Sequence, residues 1–349
     1  MLTIRTLTVV LVLSLFFGHQ PAAQGLTFAL FERYVDALRQ QAGIPGLALA
    51  IVRDGRLVDD WLKGYGVANV TGAVSVLPDT PFALADLSQT IAATLILRHC
   101  IDRGYAELSD QVRRWSPGFP EAATTFAQLL SHNRTDGYRF DRNRYAWLTA
   151  AAEECSDQPY ARLVYDDIMT GLAMTSPVPG GDVRTNGSQV RQMFPIPTIR
   201  GFMSTLDRMA TPYRVDSSRR ATPSDYQVPR LDAANGFVAS VRDIAHFEAA
   251  LDGTFLLNRT TRELAWQRRF GGPMGYGWFV QQVNGKKVVW HFGLEPNAFS
   301  SLVIKVPTEG LTLILLANSD GLTAPFRRDL ESGDVTVSPF ARIFFSLLG

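Results

Sequence analysis

In the stretch Leu84 to Leu95, "LADLSQTIAATL", a serine stands at the head of an apolar helical run. Its hydroxyl becomes a nucleophile only beside a group that takes its proton. Ser88 is therefore the first candidate, and the base is what must be found. Asp86 followed three positions later by Gln89, just before the run Ile91 to Leu97, reads more plainly as a capping box. In that reading the aspartate accepts from a free N–H of the first helical turn and the glutamine reaches back. The histidines are too scattered to form a zinc set, and no metal or other cofactor is expected. Cys100 and Cys155 are the only cysteines; an oxidising compartment permits a disulfide, but two buried thiols are the expected state.

The elements that must position these groups follow from apolar spacing and turn residues. Residues 26 to 43 carry Phe28, Phe31, Tyr34, Val35 and Leu38 at helical spacing, with Gly43 as a stop. Asp54-Gly55 and Asn284-Gly285 each separate two apolar runs and predict tight hairpins, and a further turn is expected at Glu309-Gly310. Strand signals gather at the two ends of the chain. The middle, about 82 to 250, reads as helices and loops, and "SPFARIFFSLLG" as a closing helix. The expected fold is thus α+β: a mainly antiparallel sheet flanked by helices, with a mostly helical part inserted. The sheet part covers about 25–80 and 230–349, the helical part about 81–229.

The chain has 349 residues, 46% hydrophobic, with formal net charge +1. That balance speaks for a globular protein and against nucleic acid as partner. The first 24 residues have a signal-peptide layout: Arg5, an apolar run from Leu7 to Phe17, then Ala22 and Ala23. The run is well short of the roughly 20 residues that span a bilayer. The mature chain is expected to be exported, periplasmic or secreted, with no stable membrane span.

Several segments together resemble the serine β-lactamases of class C, the penicillin-binding D-Ala-D-Ala carboxypeptidases and the related esterases. They are "PFALADLSQTIAATLILRHCIDRGYAELSDQV", "FAQLLSHNRTDG", "AANGFVASVRDIAHF" and "GYGWFVQQ…WHFG…FSSLVIKVP…LILLANSDG", and they span nearly the whole mature chain. The resemblance implies a β-lactamase/transpeptidase-like fold. It also implies a cleft in which a serine attacks an acyl carbonyl, a lysine three positions on takes its proton, a tyrosine of a Tyr-x-Asn segment is the second base, and a His-x-Gly or Lys-Thr-Gly strand lines the far wall.

Laid on that pattern, Asp86 stands at the nucleophile and Gln89 at the lysine. The four lysines, Lys63, Lys286, Lys287 and Lys305, follow Asp60, Val283, Asn284 and Leu302 at three positions' distance, so no Ser-x-x-Lys exists. Ser88 lies two positions past Asp86, about 200° around a helix. In "YRFDRNRYAWL", Phe140 falls at the tyrosine and Arg142 at the asparagine, with Tyr138 as the competing candidate for the base. The third motif survives as His291-Phe292-Gly293, where glycine would let a substrate approach the backbone.

A sharper expectation than the capping box is that Asp86 and Arg142 face each other and plug the site as an ion pair. The plainer alternative places Arg142 among Arg134, Arg139 and Arg144 on a solvated loop. The function read from the sequence is a catalytically degenerate member that keeps a cleft for a small molecule or peptide. The alternative is an active hydrolase of an ester, D-amino-acid peptide or β-lactam, using Ser88 with Tyr138 or His291.

Overall fold

The structure, a computed structural model, describes residues 20–185 and 187–349. The signal-peptide reading therefore lies almost wholly outside the described residues. Helix α1 (Gln20–Gln41) begins ahead of the predicted start at 26. Seven antiparallel strands follow from the chain ends: β1 (Gly46–Arg53), β2 (Arg56–Asn69), β3 (Val74–Ser75), β4 (Phe279–Val283), β5 (Lys286–Glu295), β6 (Phe299–Val306) and β7 (Leu311–Ala317). Their spatial order is β4-β5-β6-β7-β1-β2-β3, so the last strand of the sequence pairs with the first, Leu47 opposite Ala317.

The hairpin turns are where glycine and its neighbour predict them. Asp54 and Gly55 have φ of 50° and 67°, Asn284 and Gly285 of 51° and 76°. Two successive positive φ values let a two-residue loop follow the twist of its strands.

Both faces of the sheet are covered, which is why β1 reads as continuous apolar sequence rather than an alternation. Leu47, Leu49 and Ile51 pack with Phe31 and Val35 of α1 and with Phe340 and Phe344 of the closing helix, Pro339–Leu347. Ala48, Ala50 and Val52 face the other way, into the core shared with helix α2 (Ser88–Ile96) and helix Val241–Asp252.

Two expectations are corrected here. Cys100 and Cys155, expected as thiols, are disulfide-bonded, with Cα atoms 5.2 Å apart. The extension of α2 through Leu97–Ile101 packs on helix Leu148–Ser156 and brings the two sulfurs to one interface. The capping box at Asp86 and Gln89 does not form. The chain enters α2 through a 3₁₀ turn, Ala85–Leu87, and Ser88 N–H already donates to the carbonyls of Ala85 and Asp86. Capping boxes occur instead at Thr125 with Gln128 and at Ser240 with Asp243.

Candidate functional site

The 3₁₀ turn that carries Asp86 sits against β5. Ala85 is held at φ 54°, a left-handed conformation that costs a non-glycine residue free energy and persists only where the surroundings enforce it. The surroundings are close. A Cβ on Gly293 would lie 2.2 Å from the Leu84 carbonyl oxygen and 2.4 Å from Ser301 Oγ. The glycine of His-x-Gly thus admits the protein's own backbone where a substrate was expected.

Asp86, only 3% exposed, meets Arg142 from the single helical turn Arg142–Tyr145. Arg142 Nε donates to Asp86 Oδ1 at 2.5 Å and Nη2 to Oδ2 at 2.7 Å, a bidentate pair. Arg142 is fixed from behind as well: Nη1 donates to Glu295 Oε1 at 2.6 Å and Nη2 to the Leu294 carbonyl at 2.5 Å. Asn235 Nδ2 donates to the same Glu295 oxygen at 2.5 Å, and the Leu294 N–H donates to Asp86 Oδ2 at 3.2 Å. Burial works against the charge on Arg142, but the bonds and charge of Asp86, then of Glu295, outweigh it and raise its pKa. Burial, and after it the Asp86 charge, pushes Glu295 above the usual carboxylate range despite Arg142. The ion pair of the sharper expectation is present, and the solvated-loop alternative for Arg142 is not.

Gln89 is fully buried and continues the network on the other side. The Asp141 N–H donates to His132 Nδ1 at 3.0 Å, which leaves Nε2 as the donor to Gln89 Oε1 at 2.8 Å; Gln89 Nε2 reaches Asp86 Oδ1 at 3.5 Å. The His132 ring is stacked between Phe140, 4.5 Å away, and Tyr145, 4.8 Å away. Burial, then the charges of His291, Arg144 and Arg134, pushes the His132 pKa well below its ordinary value. His132 is therefore neutral at physiological pH, in one defined tautomer.

The other sequence candidates lie nearby without joining the pair. Phe140 shares the wall of an ≈320 Å³ cavity with Asp86 and Arg142. Tyr138, the competing base, donates its hydroxyl to the Glu331 carbonyl at 2.7 Å, and burial raises its pKa further from any basic role. His291 does not line the cavity; Phe292 and Leu294 do. It is fully buried, with Nδ1 2.8 Å from the Phe292 carbonyl, and burial lowers its pKa to about 4. Ser88 is 1% exposed and its Oγ has no hydrogen-bond partner among the described residues. Sequence reasoning missed Glu295, Asn235 and the orienting role of His132. Asn235 lies inside the quoted segment "AANGF", whereas Glu295, two positions past Gly293, falls just outside the quoted "WHFG".

Among the described residues, no group of three or more His, Cys, Asp or Glu is placed to hold a metal ion, and no helix is long and apolar enough to cross a membrane.

A family model described as Beta-lactamase matches residues 31–337. The chain is 27% identical over 359 residues to penicillin-binding protein 4 of Amycolatopsis lactamdurans, covering 91% of this chain and 88% of that one. Among solved structures, the D-alanine carboxypeptidase of Burkholderia cenocepacia superposes with TM-score 0.70 at 17% identity, over 94% of this chain and 100% of that one. The octameric penicillin-binding protein homologue of Pyrococcus abyssi gives TM-score 0.70 at 16% identity, over 84% and 74%. At these identities the two structures show a shared fold.

Proposed function

This chain belongs to the beta-lactamase family, and we propose from that premise that it is an exported, catalytically degenerate member whose cleft serves binding or interaction. The observation that carries the reading is the bidentate Arg142–Asp86 pair at the position where an active relative needs a free nucleophile. Losing one member of a catalytic unit costs about as much as losing several, and here the lysine position holds a neutral amide, Gln89, and the tyrosine position a phenylalanine, Phe140.

The competing reading needs the Ser88 hydroxyl to open into the cleft beside a base, Tyr138 or His291. Its buried Oγ has no partner among the described residues, the Tyr138 hydroxyl is committed to the Glu331 carbonyl, and His291 is buried. Export is supported by the signal-peptide layout and by the Cys100–Cys155 bond, since disulfides persist in oxidising compartments. The cleft would take a small molecule or peptide; nothing in the charge balance recommends nucleic acid.

The test compares purified wild type with Ser88→Ala on a chromogenic cephalosporin and an aryl ester, and adds labelling by fluorescent penicillin, a probe chosen from the relative's name. We expect neither turnover nor labelling from either protein. Turnover by wild type that disappears in Ser88→Ala would overturn the reading.

A further inference from the structure

Asp86 is held as a bound ligand would be. Four N–H groups converge on its two oxygens: Arg142 Nε and, at 3.5 Å, Gln89 Nε2 on Oδ1, and Arg142 Nη2 with the Leu294 N–H on Oδ2. A planar guanidinium edge beside a main-chain N–H matches the shape and charge of a carboxylate. The cradle does not owe its geometry to Asp86. Glu295, itself held by Asn235, and the Leu294 carbonyl fix Arg142 from the far side, and Leu294 is itself held near the end of β5 by pairing with Ser300 of β6. The adjoining cavity of ≈320 Å³ has apolar walls from Phe140, Phe292, Leu294 and Pro296, facing polar ones that include Asp141, Arg327 and Glu331.

We infer that Arg142 and the Leu294 N–H form a binding site for a small apolar carboxylate, which Asp86 occupies from within the chain and so keeps closed. The inference rests on the reading of the site as catalytically degenerate, and it says what fills the anion-binding corner of its cleft. An intramolecular carboxylate acts at an effective concentration no free ligand reaches in solution, so the wild-type site excludes external carboxylates. Shortening residue 86 vacates the two oxygen positions and leaves the guanidinium edge aimed at them.

The test titrates sodium benzoate into the full chain at constant ionic strength, by calorimetry and by the thermal unfolding midpoint, for wild type, Asp86→Ala, Asp86→Ser and the double variant Asp86→Ala/Arg142→Gln. Methyl benzoate is the uncharged control. Both single variants should bind benzoate at least about tenfold more tightly than wild type and than the double variant, and tighter than they bind the ester. Benzoate should also raise their midpoints even where the substitution has lowered them, because a ligand specific to the native state stabilises it by mass action. Equal binding by wild type, retention in the double variant, equal affinity for the ester, or no effect on either single variant would each overturn the inference. Turnover found in wild type would sink the degenerate reading without altering any of these binding results.

Discussion

Asp86, Glu295 and Arg142 beside the cavity, and Glu248, Asp252 and Lys305 under the helix Val241–Asp252, are each two carboxylates around one cation, half-buried in the first and buried in the second. They are built differently. Arg142 sends a hydrogen bond to both Asp86 oxygens, to Glu295 and to a main-chain carbonyl. Lys305, 2% exposed, lies 2.6 Å from Asp252 Oδ1 and 3.3 Å from Glu248 Oε2. Yet neither Glu248 oxygen, nor Asp252 Oδ2, nor Thr312 Oγ1 on the strand beside Lys305 has a hydrogen-bond partner among the described residues. A flat fork of five donors can serve several acceptors at once, whereas an ammonium on a flexible stem acts as a point charge. The lysine cluster neutralises charge; the arginine cluster also specifies geometry.

If that contrast holds, Arg142→Ala has the larger effect. It strands two carboxylates that are both deeply placed and should lower the unfolding free energy by about 4 kcal/mol, read from denaturant melts. Lys305→Met should cost less, about 2 kcal/mol near pH 8, because Glu248 can shed its charge. Burial, partly offset by Lys305 and reinforced by Asp252, already holds the Glu248 pKa above its ordinary 4.5. The folded state therefore binds that proton more tightly than the unfolded chain, so the stability it contributes is full below about pH 4.5 and is lost as pH rises through the folded value. The Lys305→Met deficit should accordingly shrink at pH 5. A Lys305→Met loss equal to that of Arg142→Ala, with no dependence on pH, would break the comparison. The smallest effect is expected from Glu248→Gln: a change within about 1 kcal/mol, and a flatter pH profile, since an unsatisfied buried charge is exchanged for a neutral amide.

The fold was legible because its signals are local. Asp-Gly and Asn-Gly turns, an apolar β1 and the quoted segments each carry their meaning over a few residues. Asp86, Gln89 and Arg142 were legible as positions in a motif register. What escaped depends on contacts distant in sequence. Nothing near Cys100 or Cys155 says that two helices 55 positions apart bring them together. Asp86 and Gln89 resemble a capping box, but the N-cap falls one residue later, at Leu87, because the 3₁₀ turn satisfies the Ser88 amide. His132 was read only as an unlikely zinc ligand, since its neighbours Gln89 and Asp141 meet it through the fold.

The row from the Asp141 amide through His132 and Gln89 to Asp86 has all its N–H bonds pointing the same way. Aligned dipoles add, so the row presents its positive end to the Asp86 carboxylate and polarises along its length. It does not conduct: a peptide N–H closes one end, and the Gln89 amide neither gives up nor accepts a proton in the accessible pH range. The row supplies field to the Asp86 carboxylate without carrying a proton to it.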